Sequence, residues 1–117
     1  MPSDVDALRR WLDDMRYHIT LARTFAEGMS YDVFCGDLRT TYAVTRCLEI
    51  ISEASRRLPD EIKSRHPEIP WIDMANAGNI YRHQYHDVHD SLIWRTIEQS
   101  LKPLRVVAVQ ELERLPE

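Results

Sequence analysis

Glycine is scarce in this 117-residue chain, with three in all: Gly28, Gly36 and Gly78. An all-β fold of this length needs many tight turns and draws on glycine for them, so the shortage argues for helix. Cysteine is scarcer still. Cys35 and Cys47 are too few and too widely spaced for a C-x-x-C pair or a disulfide framework, which leaves them as small buried residues or surface thiols in a reducing compartment. Long apolar runs are missing too: the longest unbroken aliphatic stretch, Val106 to Val109, falls far short of the roughly 20 residues a membrane span needs. The first fourteen residues carry Asp4, Asp6, Arg9, Arg10, Asp13 and Asp14 in place of an apolar leader core, so a cytoplasmic protein is expected. Positive charge is also in deficit. A formal net charge of −4 does not suit a dedicated nucleic-acid coat, so any RNA or DNA contact has to come from a local patch or be brief.

What is present is the composition of one globular domain over residues 1–117, with 44% hydrophobic and 29% charged residues. Ser3-Asp4-Val5-Asp6 resembles a capping box. Behind it Val5, Leu8, Leu12, Met15, Ile19, Ala22 and Ala26 follow at alternating steps of three and four, the stripe of a helix running to Gly28. Asp37 is a plausible N-cap for a second long helix over 37–58, with Ala43, Cys47, Ile50, Ala54 and Leu58 carrying its stripe and Val44, Leu48 and Ile51 widening it. Residues 29–36 read equally as a turn of helix or a loop. Asp60 to His66 predicts a short helix, and Trp71 to about Tyr85 a third substantial one. The last helix is expected from Asp90 to Leu115, with Leu92, Ile93, Ile97, Leu101, Leu104 and Ala108 inward and a kink or split at Pro103. The fold class is all-α, an up-and-down bundle of four to five helices.

One stretch is unlike the rest. Residues 70–90 hold His83, His86 and His89, three of the five histidines, and they cluster the weak helix formers Asn76, Gly78 and Asn79 inside a predicted helix. A run that gives up helix propensity often does so for contact or chemistry. Imidazole moves protons near neutral pH, and the planar guanidinium fork of Arg82 fits a phosphate. Histidine plus arginine is the minimal kit for cleaving an RNA phosphodiester without a metal: His83 handles the proton and Arg82 meets the charge growing on the phosphoryl oxygens. The plain alternative is a helix end carrying a cation near its C-terminal dipole.

The same segment resembles the HepT-like toxins of the HEPN superfamily, whose motif is an arginine, four residues, a histidine, one residue and a tyrosine, often with asparagine after the arginine. Asn79, His83 and Tyr85 match that motif, and Pro70-Trp71, Val88, Ile93-Trp94 and the run from Leu48 to Ala54 resemble its flanks. The likeness covers roughly residues 5 to 108. One position departs: the family arginine falls at Gly78, and the nearest arginine, Arg82, lies one turn later, about 6 Å along the axis and about 40° around it. Arg82 and His83 are adjacent and do not face each other on one helix. The resemblance therefore implies a HEPN-like homodimer in which Arg82 of one chain serves His83 of the other. It also implies an RNA substrate, no cofactor, no metal, and control by a minimal nucleotidyltransferase antitoxin that transfers AMP to Tyr85. Its rival is a module of the same fold that has lost catalysis with the arginine at Gly78 and only pairs with the nucleotidyltransferase.

The remaining constellations have plainer readings. His83, His86 and His89, with Asp87 and Asp90, have spacing that a metal site could use, but a helix carries His89 away from the other two, and a polar turn fits better. Glu53 stands among apolar residues as either an acid orienting the motif or the edge of a stripe. Trp11, Trp71 and Trp94 read as core or interface aromatics. Arg56, Arg57, Lys63 and Arg65 form a modest basic cluster, diluted by Asp60 and Glu61, that either guides RNA or is a solvated face.

Overall fold

The three-and-four spacing of the first stripe becomes α1, Asp4–Ala26, in a computed structural model of the chain. The structure describes the backbone of residues 4–83 and 86–116 and the side chains of 4–78 and 90–116. Leu12, Met15, Ile19, Ala22 and Ala26 are buried along α1 as the spacing predicts. Gly28 closes the helix at φ +78°, a left-handed conformation that residues bearing a Cβ rarely adopt. Within residues 29–36 the last six form a short helix. Ser30 caps α2, Tyr31–Gly36, by accepting the amide of Val33, and Phe34 is driven fully into the core.

Asp37 caps α3, Leu38–Arg57, its carboxylate accepting the amide of Thr40 at 3.1 Å. The stripe of α3 differs in detail from the expected one. Val44, Cys47, Leu48, Ile51 and Ala54 are buried, whereas Ala43 and Ile50 are half-buried. The reason is position: α3 packs against α1 on one flank and against a later helix on the other, so its apolar face is wide and centred one residue further on.

After Leu58 and Pro59 comes α4, Asp60–Arg65, then α5, Trp71–His83. The indole Nε1 of Trp71 donates to the carbonyls of Lys63 at 3.1 Å and His66 at 2.9 Å. These carbonyls at the end of α4 also accept the backbone amides of His66 and Ile69, so the indole adds a second bond to each and sets the entry of α5. The expected final helix is two, α6 (His86–Gln99) and α7 (Leu101–Arg114). It begins earlier than Asp90, and the split falls at Ser100, which places Pro103 in the first turn of α7, where a missing amide costs little.

The described residues thus form an all-α bundle of five longer helices and two short ones. α1 is its spine, lying against α3 and α7, while α3 also carries α5. Trp94 on α6 packs on Phe34 with ring centroids 5.2 Å apart, and Trp11, Trp71 and Trp94 all lean on the core from its margin. Burying each large side chain of this core contributes about 1.5–3 kcal/mol. A polar clamp completes the packing. Glu111 of α7 is 2% exposed and accepts from Arg65 Nη2 at 2.5 Å, Arg65 Nε at 3.2 Å and His66 Nε2 at 2.6 Å. Burial pushes its carboxyl up, but the hydrogen bonds from Arg65 and His66 outweigh that and hold it below the usual glutamate range.

Candidate functional site between α3 and α5

The candidate site is built where α5 gives up helix propensity. Gly78 is buried against α3, and having no side chain it leaves its backbone open to a neighbour. Ser52, 1% exposed on α3, takes that place: its hydroxyl accepts the amide of Gly78 at 3.1 Å and donates to the carbonyl of Ala75 at 3.0 Å. Arg56, one turn along α3, donates from Nη2 to the same Ala75 carbonyl at 2.7 Å. Glu53 accepts Arg56 Nη1 at 2.8 Å and Arg57 Nε at 3.0 Å.

Beside these contacts lies a cleft of about 180 Å3 lined by Arg46, Glu49, Ser52, Glu53, Arg56 and Gly78. Arg46 is loosely held, 3.7 Å from Glu49 with its side chain 71% exposed. A second cleft of about 300 Å3 shares Arg46, Glu49 and Glu53 as a wall and adds Arg10, Trp11 and Arg57. A larger one, about 570 Å3 and lined by residues of α1, α6 and α7, holds no histidine, serine or cysteine. The smaller cleft at Gly78 borders α5, the helix that carries Asn79, Arg82 and His83. Among the described residues no cluster of histidine, cysteine, aspartate or glutamate is arranged to hold a metal ion, and no helix is long and apolar enough to cross a membrane.

Of the residues expected in the site, Gly78 is placed directly. Asn79, Arg82 and His83 lie on the helical backbone of α5, and their side chains fall outside the described residues, as does Tyr85 altogether. The side chains of His86 and His89 are outside them too. Glu53 is the edge of a stripe, exposed and salt-bridged. The basic cluster is not a free patch: Arg56 and Arg57 share Glu53, and Arg65 is committed to Glu111 and Glu61. Sequence reasoning missed Ser52, which looks like one more helix-surface serine until α5 packs on it. It also missed Arg46, for which the sequence carries no signal.

Residues 15–111 match the family described as "Ribonuclease HepT-like". The chain is 36% identical over 95 residues to "Probable ribonuclease HepT" of Thermococcus cleftensis, an alignment spanning 81% of this chain and 86% of that protein. It is 33% identical over 88 residues to "Putative RNase TTE0752" of Caldanaerobacter subterraneus subsp. tengcongensis, across 75% and 79% of the two chains. It is 29% identical over 98 residues to "Putative RNase MJ1216" of Methanocaldococcus jannaschii, across 84% and 81%. No solved structure gives a significant match. With a family match that takes in every described contact between α3 and α5, the chain belongs to the HepT-like ribonuclease family.

Proposed function

We propose that this chain is a metal-independent endoribonuclease, the toxin half of a toxin–antitoxin pair, which acts as a homodimer under the control of a small nucleotidyltransferase. The observation that carries the reading is the family match across residues 15–111, which includes α5 from end to end. In the reaction His83 takes the proton of a ribose 2′-hydroxyl, directly or through water. The 2′-oxygen forms a bond to phosphorus, the bond from phosphorus to the 5′-oxygen breaks, and the departing oxygen receives a proton. The products are a 2′,3′-cyclic phosphate and a free 5′-hydroxyl. Arg82 of the opposing chain meets the charge on the non-bridging oxygens, and Tyr85 is the acceptor for AMP. The test is cleavage of single-stranded or tRNA-type RNA in EDTA by the wild-type chain and by His83→Ala.

Gly78 favours a second reading. With no arginine at that position, a bundle of the same fold can serve only as a binding module for the nucleotidyltransferase. A purified chain that binds the partner and cuts no RNA establishes that reading in place of the first.

A further inference from the structure

We infer that Arg56, reaching across from α3, supplies the guanidinium that Gly78 lacks, and that the cleft beside Gly78 binds a phosphate of the RNA strand. This rests on the ribonuclease reading and names a further substrate-binding residue for it. Arg56 is carried on α3, yet its guanidinium is tied to the backbone of α5 through the Ala75 carbonyl, less than one turn before Gly78. The side chain is 44% exposed, and two of its five N–H donors are engaged, one by Ala75 and one by Glu53. The Arg56 side chain lines a cleft that Gly78 also lines. Gly78 brings no side chain to this cleft, and Arg56 brings a guanidinium to it.

Charge supports an anionic occupant. Glu53 is shared by Arg56 and Arg57, and Glu49 stands 3.7 Å from Arg46, so three guanidinium groups face two carboxylates. In a chain of net charge −4 this is a local positive surplus, of the kind a brief RNA contact requires. The adjoining cleft adds Arg10 and Asp14, whose charges cancel and leave the surplus unchanged, and half-buried Trp11, which offers the neighbouring nucleotide an aromatic ring.

The experiment measures binding of 2′-O-methyl RNA, which has no nucleophile to react, as a function of salt, alongside cleavage of the natural RNA. Arg56→Ala removes the side chain. Arg56→Gln keeps an amide donor and drops the charge, so it guards against loss of the α3–α5 contact. Both should lower the slope of log affinity against log salt by about 0.7, the share of one phosphate on a single strand. Both should slow cleavage by roughly 10²-fold, as removal of one stabilising donor does. His83→Ala should slow cleavage and leave the slope unchanged. If Arg56→Gln keeps the wild-type slope and rate while His83→Ala is inactive, the ribonuclease reading stands and the role of Arg56 is overturned. If the wild type binds but never cuts, the cleavage reaction is removed and the Arg56 slope alone decides the phosphate contact. If the wild type binds no RNA, both fail.

Discussion

Ser52 holds Gly78: one hydroxyl on α3 accepts the Gly78 amide at 3.1 Å and hands its own proton to Ala75 at 3.0 Å, so a buried serine sets the height of α5 over α3. Ser52→Ala removes both bonds at a site that is 1% exposed. The expected cost is about 1–2 kcal/mol, seen as a fall of roughly 4–8 °C in the unfolding midpoint. Cleavage should fall by more than stability does, because α5 carries His83. An unchanged melting curve would show that the hydroxyl is not what seats α5.

His83→Ala should lower the rate of RNA cleavage by about 10²-fold or more, the usual worth of a positioned acid–base group. Arg82→Ala separates the two guanidinium groups. Loss of activity there, restored by mixing Arg82→Ala chains with His83→Ala chains, is the result for a site shared across a two-fold axis. Equal activity in wild type and His83→Ala traces the cleavage to a contaminant.

Assembly is checked by light scattering. At micromolar concentration the mass should be about twice the 13.8 kDa of one chain. A strict monomer removes the shared-site argument for Arg82 and leaves the intrachain contact of Arg56 with α5 intact.

Tyr85 gives the regulatory test. Co-expression with an active nucleotidyltransferase should add one or more adenylyl units to this chain, and Tyr85→Phe should abolish the added mass. AMP at that position places a bulky anion beside residues that bind phosphate, which blocks the strand by competition and repulsion. An unmodified Tyr85 after co-expression, by mass spectrometry, ends this reading and leaves the fold as it is.

Glu111 predicts acid sensitivity. Its carboxyl is held below the ordinary glutamate value of about 4.3, so its contribution to stability is complete above that pH and is lost as pH falls through the lower value in the folded protein. Glu111→Gln should destabilise the protein by roughly 2 kcal/mol near neutral pH, the worth of hydrogen bonds to a charged group, and flatten the acid limb of the stability curve. A limb of unchanged steepness assigns it to other carboxylates.

Local rules made most of the helices legible. Asp37 as a cap, the spacing from Leu12 to Ala26 and the proline after Leu58 each act within a turn or two of chain. The contacts that build the candidate site act over longer separations. Arg56 and Arg65 look alike in sequence, two cations in one cluster, yet one reaches Ala75 and the other Glu111. Nothing within a few residues of either distinguishes them, because the deciding partners arrive on α5 and α7. Glu111 is buried where α7 meets Arg65 and His66 at the end of α4, a contact that no neighbouring residue in the sequence announces. Residue type and order pointed to His83 and Tyr85, whereas the contacts of Ser52 and Arg56 beside Gly78 depend on the packing of α3 against α5.

The order of the helices bears on how the core is closed. α1 packs chiefly on α3 and α7, and α7 is the last of the described helices. Until α7 docks, Leu12, Met15 and Ile19 lack one of the two helices that chiefly cover them, and Arg65 and His66 have no Glu111. A chain in which α7 is not yet in place therefore presents an open apolar groove along α1 for chaperones or aggregation.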